Sequence, residues 1–358
     1  MKRILLSLSL LTLTLQAHSQ TQIGNSNFET WDNLGQNSVE PQNWNSFWTA
    51  DIGSFLGSSF VQGKQVDRSP LKRPGTSGTY SARIWCRSIF SVPANGNLTI
   101  GRINAGSATA NDINSNYNKT VLTDNAFSES FTDTPDSLVV WIKYKPVNTG
   151  AGHEARISCV LHTNVAYQDP THLTNMTTTK AIAEYNIPYV TGSPWRRISI
   201  PFNYTTATAP TAYILTTFTT NKTPGVGTVD DSLYIDDLEL VYVPKANFTA
   251  SGTSVCEGGS LSFTNTSTNY PTSYTWNFGD GTPTVTTQNA THTFATAGTF
   301  NVTLTASNQW GSKTSTAVVT VNDQMDATFS YSNATFCSNA GNQTPTVVDA
   351  GRSEERRV

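Results

Sequence analysis

Apolar and polar side chains alternate with a period of two through most of the chain. The clearest case runs from Thr299 to Ala306. Phe300, Val302, Leu304 and Ala306 form one row, and Thr299, Asn301, Thr303 and Thr305 form the other. Neighbouring strand residues point to opposite faces, so one apolar row predicts a half-buried antiparallel strand. The same pattern predicts strands over 81–90, 97–103, 137–145, 154–162, 195–204, 212–219 and 233–243. Loops rich in Gly, Asn and Thr separate them, and no stretch sustains the 3.6-residue apolar repeat of a helix. Upstream of the clearest strand lies Phe278-Gly279-Asp280-Gly281. Glycine accepts positive φ and aspartate bonds its own backbone, so this is a tight turn. The expected class is all-β.

The pieces of that region, Trp276-x-Phe278-Gly-Asp-Gly281 and then Phe294-x-x-Ala-Gly-x-Phe300-x-Val-x-Leu304-x-x-x-Asn308, resemble the PKD domain. That family has an immunoglobulin-like β-sandwich and serves extracellular proteins as a spacer and binding module. The resemblance implies a sandwich over 246–321 with Trp276, Phe278, Phe300, Val302 and Leu304 in its core. The Ala246, Phe248, Cys256 spacing recurs at Ala327, Phe329, Cys337. A second, truncated β-domain of the same kind is therefore expected over 326–351. The charge-dense end, 352–358, resembles a translated sequencing adapter and is expected to be an artefact.

At the other end, Lys2 and Arg3 precede a short apolar run, and Ala17 and Ser19 are small residues at the positions a signal peptidase reads. This predicts a signal peptide over 1–19 and an exported protein. The apolar run is too short to span a membrane well. Between leader and PKD-like region, 20–243 reads as one large β-domain. It opens with Asn27-Phe-Glu-Thr-Trp31 and closes with Tyr234-Ile-Asp-Asp-Leu-Glu-Leu240. With Trp141-Ile-Lys-Tyr-Lys-Pro146 and Ile200-Pro-Phe-Asn-Tyr204, these resemble carbohydrate-binding jelly rolls, above all the carbohydrate-metabolism domain of secreted Bacteroidetes proteins. The expected architecture is thus a jelly-roll β-sandwich followed by an Ig-like PKD sandwich.

The jelly-roll resemblance implies a structural Ca2+ held by the opening Glu29 and the closing Asp236. By strand parity Asp236 goes with Tyr234, Leu238 and Leu240 and is expected to face inward. An inward carboxylate needs a metal or hydrogen bonds, and loop N–H groups serve as well as calcium. Sugar sites combine an aromatic face with polar groups. Trp85 shares a strand face with Arg83 and Arg87, and Trp141 shares one with Lys143 and Lys145. These six are the candidate ligand-binding residues, and burial of each Trp beneath a loop is the competing reading. Trp44, Trp195, Trp276 and Trp310 read as packing residues.

Composition narrows the rest. Charged residues are 13% of the 358, against about 25% in ordinary domains, and the net charge is −3. No basic stripe exists, so a nucleic-acid partner is excluded. The four cysteines have no C-x-x-C spacing, which excludes a zinc ribbon. Cys86 and Cys159 both have inward parity, which leaves a disulfide and two separate buried thiols open. No H-E-x-x-H or G-x-S-x-G motif occurs. The expected protein is non-catalytic and acts outside the cell or on its outer surface. Its partner would be an extracellular glycan or a cell-surface polysaccharide. A hydrolase fragment whose catalytic domain lies beyond Val358 and a purely structural adhesin stalk are the alternatives.

Overall fold

The computed structural model describes residues 20–53, 63–89, 91–150, 152–170 and 177–323. The leader over 1–19, the second repeat over 326–351 and the segment 352–358 lie outside them. The chain divides into two compact units, one ending at Tyr242 and the other beginning at Val243. Both are all-β. Among the described residues the one helix is a three-residue 3-10 turn, Asn125–Phe127.

The first unit is a jelly-roll sandwich with a third layer. One sheet has the strand order Arg196–Pro201, Ser137–Lys145, Ser232–Val241, Ser81–Trp85, Val66–Ser69. The other runs Glu129–Ser130, Tyr213–Thr219, Glu154–His162, Thr179–Pro188, Asn203–Tyr204, with Asn97–Thr99 also on the Tyr213–Thr219 strand. Inward rows alternate as period two demands. Leu138, Val140, Ile142 and Tyr144 line one sheet, and Ala155, Ile157, Cys159 and Leu161 line the other, all buried. Part of the opposite face of the second sheet is buried too, at Ser158, Val160, His162, Leu215 and Thr217. A three-stranded sheet of Arg102–Ala105, Asn116–Lys119 and Gln168–Asp169 belongs to this unit. His162, on that face, accepts from or donates to Thr120 Oγ1 through Nε2 at 2.9 Å and stacks on Tyr167 and Tyr213. Burial pushes its imidazole down to about 4, against hydrogen bonds to the Thr163 and Val165 carbonyls that favour the charged form. It is a neutral packing residue at pH 7.

The long Thr179–Pro188 strand is central in its sheet, and the alternation along the sequence did not predict it. Its inward row is Ala181, Ala183, Tyr185 and Ile187, opposite Leu161, Cys159, Ile157 and Ala155, while Ile182 lies on the other row. Two successive inward residues, Ala181 and Ala183, are small, and Ile182 on the other row interrupts the alternation. The strand predicted over 81–90 breaks after Trp85. Cys86 instead exchanges backbone hydrogen bonds with Asp230 and Asp231, and Arg87–Ile89 forms a separate hairpin with Val92–Ala94. Cys86 and Cys159 are both buried and free. Burial pushes both thiols up to about 12, so they are packing residues and not nucleophiles.

The second unit is an Ig-like sandwich. Phe248–Ala250, Ser260–Asn265 and Ala290–Thr293 form one sheet. Ser254–Cys256, Gly311–Asn322, Gly298–Asn308 and Ser273–Asn277 form the other, its first pair parallel. Trp276, Phe278, Val302 and Leu304 are buried in its core, with Phe300 partly buried against them. Trp276 packs edge-on to Phe248 at 5.1 Å and donates Nε1–H to the Thr287 carbonyl. The Phe278–Gly281 turn needs its glycines. Gly279 and Gly281 have φ of 77° and 85°, and a Cβ on Gly279 would lie 2.7 Å from the Asn301 carbonyl oxygen. Cys256 is disulfide-bonded.

Candidate functional site

Trp85 and Trp141 lie in the same five-stranded sheet and on its same outward face. The register shows why. Lys143 pairs with Tyr234, which pairs with Arg83, which pairs with Asp67. Opposed residues share a face. Two positions along one way, Lys145 pairs with Ser232 and Ser232 with Trp85; two positions the other way, Arg197, Trp141 and Asp236 stand side by side. The outward face thus carries Trp141, Lys143 and Lys145 on one strand, Tyr234 on the next and Arg83 and Trp85 on the third. Both indoles are half-buried.

Cations and rings interleave on this face. The Arg83 guanidinium lies 5.0 Å from the Trp85 ring and 5.9 Å from that of Tyr234. Trp195 meets Tyr234 edge-on at 6.4 Å. Arg73, from the loop over the sheet, stands 5.0 Å from the Trp141 ring. Lys143 donates to the Ser193 carbonyl. Arg83 Nε and Trp195 Nε1 are buried donors without a hydrogen-bonded partner, a state native side chains rarely keep unless something external satisfies them. The two indoles are four residues and two strands apart, about 13 Å along the strands and about 10 Å across them. One sugar ring cannot bridge that distance, so each indole is a separate platform. Arg87 leaves the face. It starts the Arg87–Ile89 strand, and its Nη1 lies 2.5 Å from where a Gly63 Cβ would stand. Tyr234, Trp195 and Arg73 belong to the face but not to the predicted set. Tyr234 sits one strand away from either Trp, and Arg73 reaches the sheet from a loop, so strand parity around each Trp could not reveal them.

Asp236 is buried, but not on the inward face. Between Val139 and Trp141 the register with the Ser232–Val241 strand shifts. Asp237 takes a left-handed φ of 43°. This bulge adds a residue and reverses the parity. Ile235 is inward before it and Leu238 after it, whereas Asp236 lies on the outward face beside Trp141. The expected grouping with Leu238 and Leu240 is corrected accordingly. The 70–80 loop meets Asp236. Its Oδ2 accepts from Arg73 N at 3.2 Å, while Oδ1 is buried with no hydrogen-bonded partner. Burial pushes this carboxyl up to about 6, the neighbouring Asp237 adding to the rise and the Arg73 amide opposing it. Asp237 pairs with Arg73 and accepts from Thr76 Oγ1 at 3.1 Å. Glu29 grips the far end of the same loop, its Oε1 accepting from Thr79 N and Tyr80 N at 2.7 and 3.0 Å. No group of three or more His, Cys, Asp or Glu suited to a metal occurs among the described residues. A cation here would need backbone oxygens beside Glu29 and Asp236. The orphaned Asp236 Oδ1 fits such a ligand set, because a buried anionic oxygen otherwise costs heavily.

Residues 242–322 match a family model described as the PKD domain, so the Ig-like unit is a PKD domain. Among solved structures, the chain is similar to one from Bacteroides thetaiotaomicron described provisionally as a glycoside hydrolase. Identity is 20% and the TM-score 0.43, with 61% of this chain and 70% of that one covered. It is similar as well to the PKD1 domain of the Vibrio cholerae metalloprotease PrtV, at 33% identity and TM-score 0.20, covering 22% of this chain and 95% of that one. The PKD1 domain of Vibrio anguillarum Epp gives 28% identity, TM-score 0.20, and 22% and 92% coverage. A search among curated proteins finds no match. No described helix is long and apolar enough to cross a membrane.

Proposed function

We propose that this is an exported, non-catalytic glycan-binding protein. Its jelly roll holds an extended polysaccharide along the outward face of the five-stranded sheet, and the PKD domain spaces or attaches it outside the cell. The observation that carries the reading is the interleaved row of rings and cations from Trp141 through Tyr234 to Arg83 and Trp85. Stacking a sugar buries its apolar face on an indole, while Arg83, Lys143 and Lys145 donate to its hydroxyls. Two platforms so far apart suit a chain and not a single ring. Affinity for a matching polysaccharide is therefore expected to rise with oligosaccharide length until both indoles are covered. Trp85→Ala and Trp141→Ala each remove about 1.5–3 kcal/mol of apolar burial, a loss of roughly tenfold to hundredfold in affinity. Titration of oligosaccharides of increasing length into wild type and both variants, with circular dichroism to verify folding, measures this. Length-independent binding, or unchanged affinity in both folded variants, rejects the sheet face as the site.

Structural Ca2+ at Glu29 and Asp236 forms part of the same proposal. It would lock the 70–80 loop, and with it Arg73, over Trp141. The carboxyl of Asp236 without metal favours its protonated form up to about pH 6. Stability therefore falls as pH rises from the unfolded value near 4 to about 6, the cost is complete above that, and neutralising the carboxyl relieves it. At pH 7.5 in EDTA, Asp236→Asn is expected to raise the melting temperature; in millimolar calcium the same change is expected to lower it. The same sign in both buffers rejects the metal.

A further inference from the structure

A second concave site lies elsewhere in the jelly-roll unit, among residues that the sheet-face reading does not use. It is a cavity of about 160 Å3 between the Arg102–Ala105 and Asn116–Lys119 strands, the Val92–Ala94 strand, and the loops at 107–110 and 221–225. Phe47, Ile89, Val92, Ile103 and Ala105 make an apolar wall. Arg156 and Asp169 supply the polar side. A cavity of about 150 Å3 holds a benzene ring, so this one admits one six-membered ring and not a chain.

We propose that this cavity binds a single neutral, polyhydroxylated ring, a free or chain-terminal pyranose. Its polar side is rigid. Asp169 is buried and takes a two-point grip from Arg156, Nη2 to Oδ1 at 2.6 Å and Nη1 to Oδ2 at 2.9 Å, with Ser158 Oγ on Oδ1 at 3.3 Å. Each carboxylate oxygen has room for two donors, so Oδ2 keeps capacity for a ligand hydroxyl. The rim is fastened as well. Asn116 donates to the Ser107 and Thr109 carbonyls and accepts from Ser107 N, which fixes the 107–110 loop before any ligand arrives. A fixed rim and a fixed carboxylate reduce the ordering cost of binding. Charge selects a neutral ligand. Arg156 is engaged by both Asp169 and Glu184, and Lys222 by Glu154, so neither cation is left for an anion. An apolar wall opposite a few fixed polar groups matches a pyranose, which has a hydrocarbon face and a hydroxyl rim.

The test is saturation-transfer and titration NMR on the full chain with free neutral hexoses, N-acetylhexosamines and 6-deoxyhexoses, and with uronic acids as the charged comparison. At least one neutral monosaccharide is expected to bind, and uronic acids more weakly. Ala108 lines the mouth on an exposed loop, so Ala108→Trp blocks entry without disturbing the core; it is expected to weaken the monosaccharide at least tenfold. Asp169→Asn, which keeps size and removes the charge, is expected to weaken it too. Trp141→Ala is expected to leave it unchanged while weakening long oligosaccharides, which separates failure of this site from failure of the sheet face. The proposal is overturned by no neutral monosaccharide binding, by full affinity in Ala108→Trp, by tighter binding of a uronic acid, or by loss of the monosaccharide in Trp141→Ala.

Discussion

His292 and Asp280 show how one pair secures a turn. The His292 ring stacks flat on Phe278, centroids 3.8 Å apart and planes within 2°, and its Nε2 lies 2.6 Å from Asp280 Oδ2. Asp280 also receives Thr282 N and Thr282 Oγ1 on its other oxygen. Burial pushes the Asp280 carboxyl up, but the bonds from Thr282 and His292 outweigh it and hold it below the usual carboxylate range. A folded value below the unfolded one means that this stabilisation is complete above the unfolded value near pH 4 and is lost as pH falls through the folded one. His292→Ala removes a hydrogen bond to a charged group and a ring contact, and is expected to destabilise the PKD domain by about 1.5–3 kcal/mol. Denaturant melts of wild type and variant at pH 7 measure it; a difference within error would make the pair incidental.

Strands show where a period of two can and cannot be trusted. It located the Ser137–Lys145 and Glu154–His162 strands because their inward rows are apolar without interruption. It missed Thr179–Pro188, where two successive inward residues, Ala181 and Ala183, are small and Ile182 stands on the other row. Ala183 is fully buried on the inward face opposite Cys159, and in a close-packed core a larger residue there must displace its neighbours. Ala183→Leu is expected to cost about 1–3 kcal/mol by overpacking, although leucine would strengthen the apparent strand pattern. A thermal melt showing stabilisation would contradict this packing. The bulge at Asp237 is the second lesson. A single inserted residue moved Asp236 to the other face, and with it the whole setting of the proposed calcium site.

At the scale of the molecule, two compact units each carry their own core. The core of the PKD domain centres on Trp276, fully buried and in contact with Phe248 and Phe263. Trp276→Ala is expected to cost about 3–5 kcal/mol, enough to unfold a small sandwich of ordinary stability. Glycan binding by the preceding unit is expected to survive. Calorimetry on the full chain should lose one transition, and a titration on the same sample should keep its affinity. Loss of both would show that the units are coupled.

Local chemistry written in the chain determined a good part of this. Alternation set the all-β class, the Gly-Asp-Gly turn and the apolar row after it marked the PKD domain, and parity put Trp141 with Lys143 and Trp85 with Arg83. Those features depend on residues close in sequence, whose relative directions the backbone dictates. Tertiary structure alone decided that the two indoles share one sheet across Tyr234, that Arg73 caps Trp141, and that Asp236 sits beneath a loop instead of in the core. It alone also brought Arg156, Asp169 and the 107–110 loop around one cavity. Strand order, bulges and loop crossings bring together residues far apart in the chain, and no local period records which distant strand will be the neighbour.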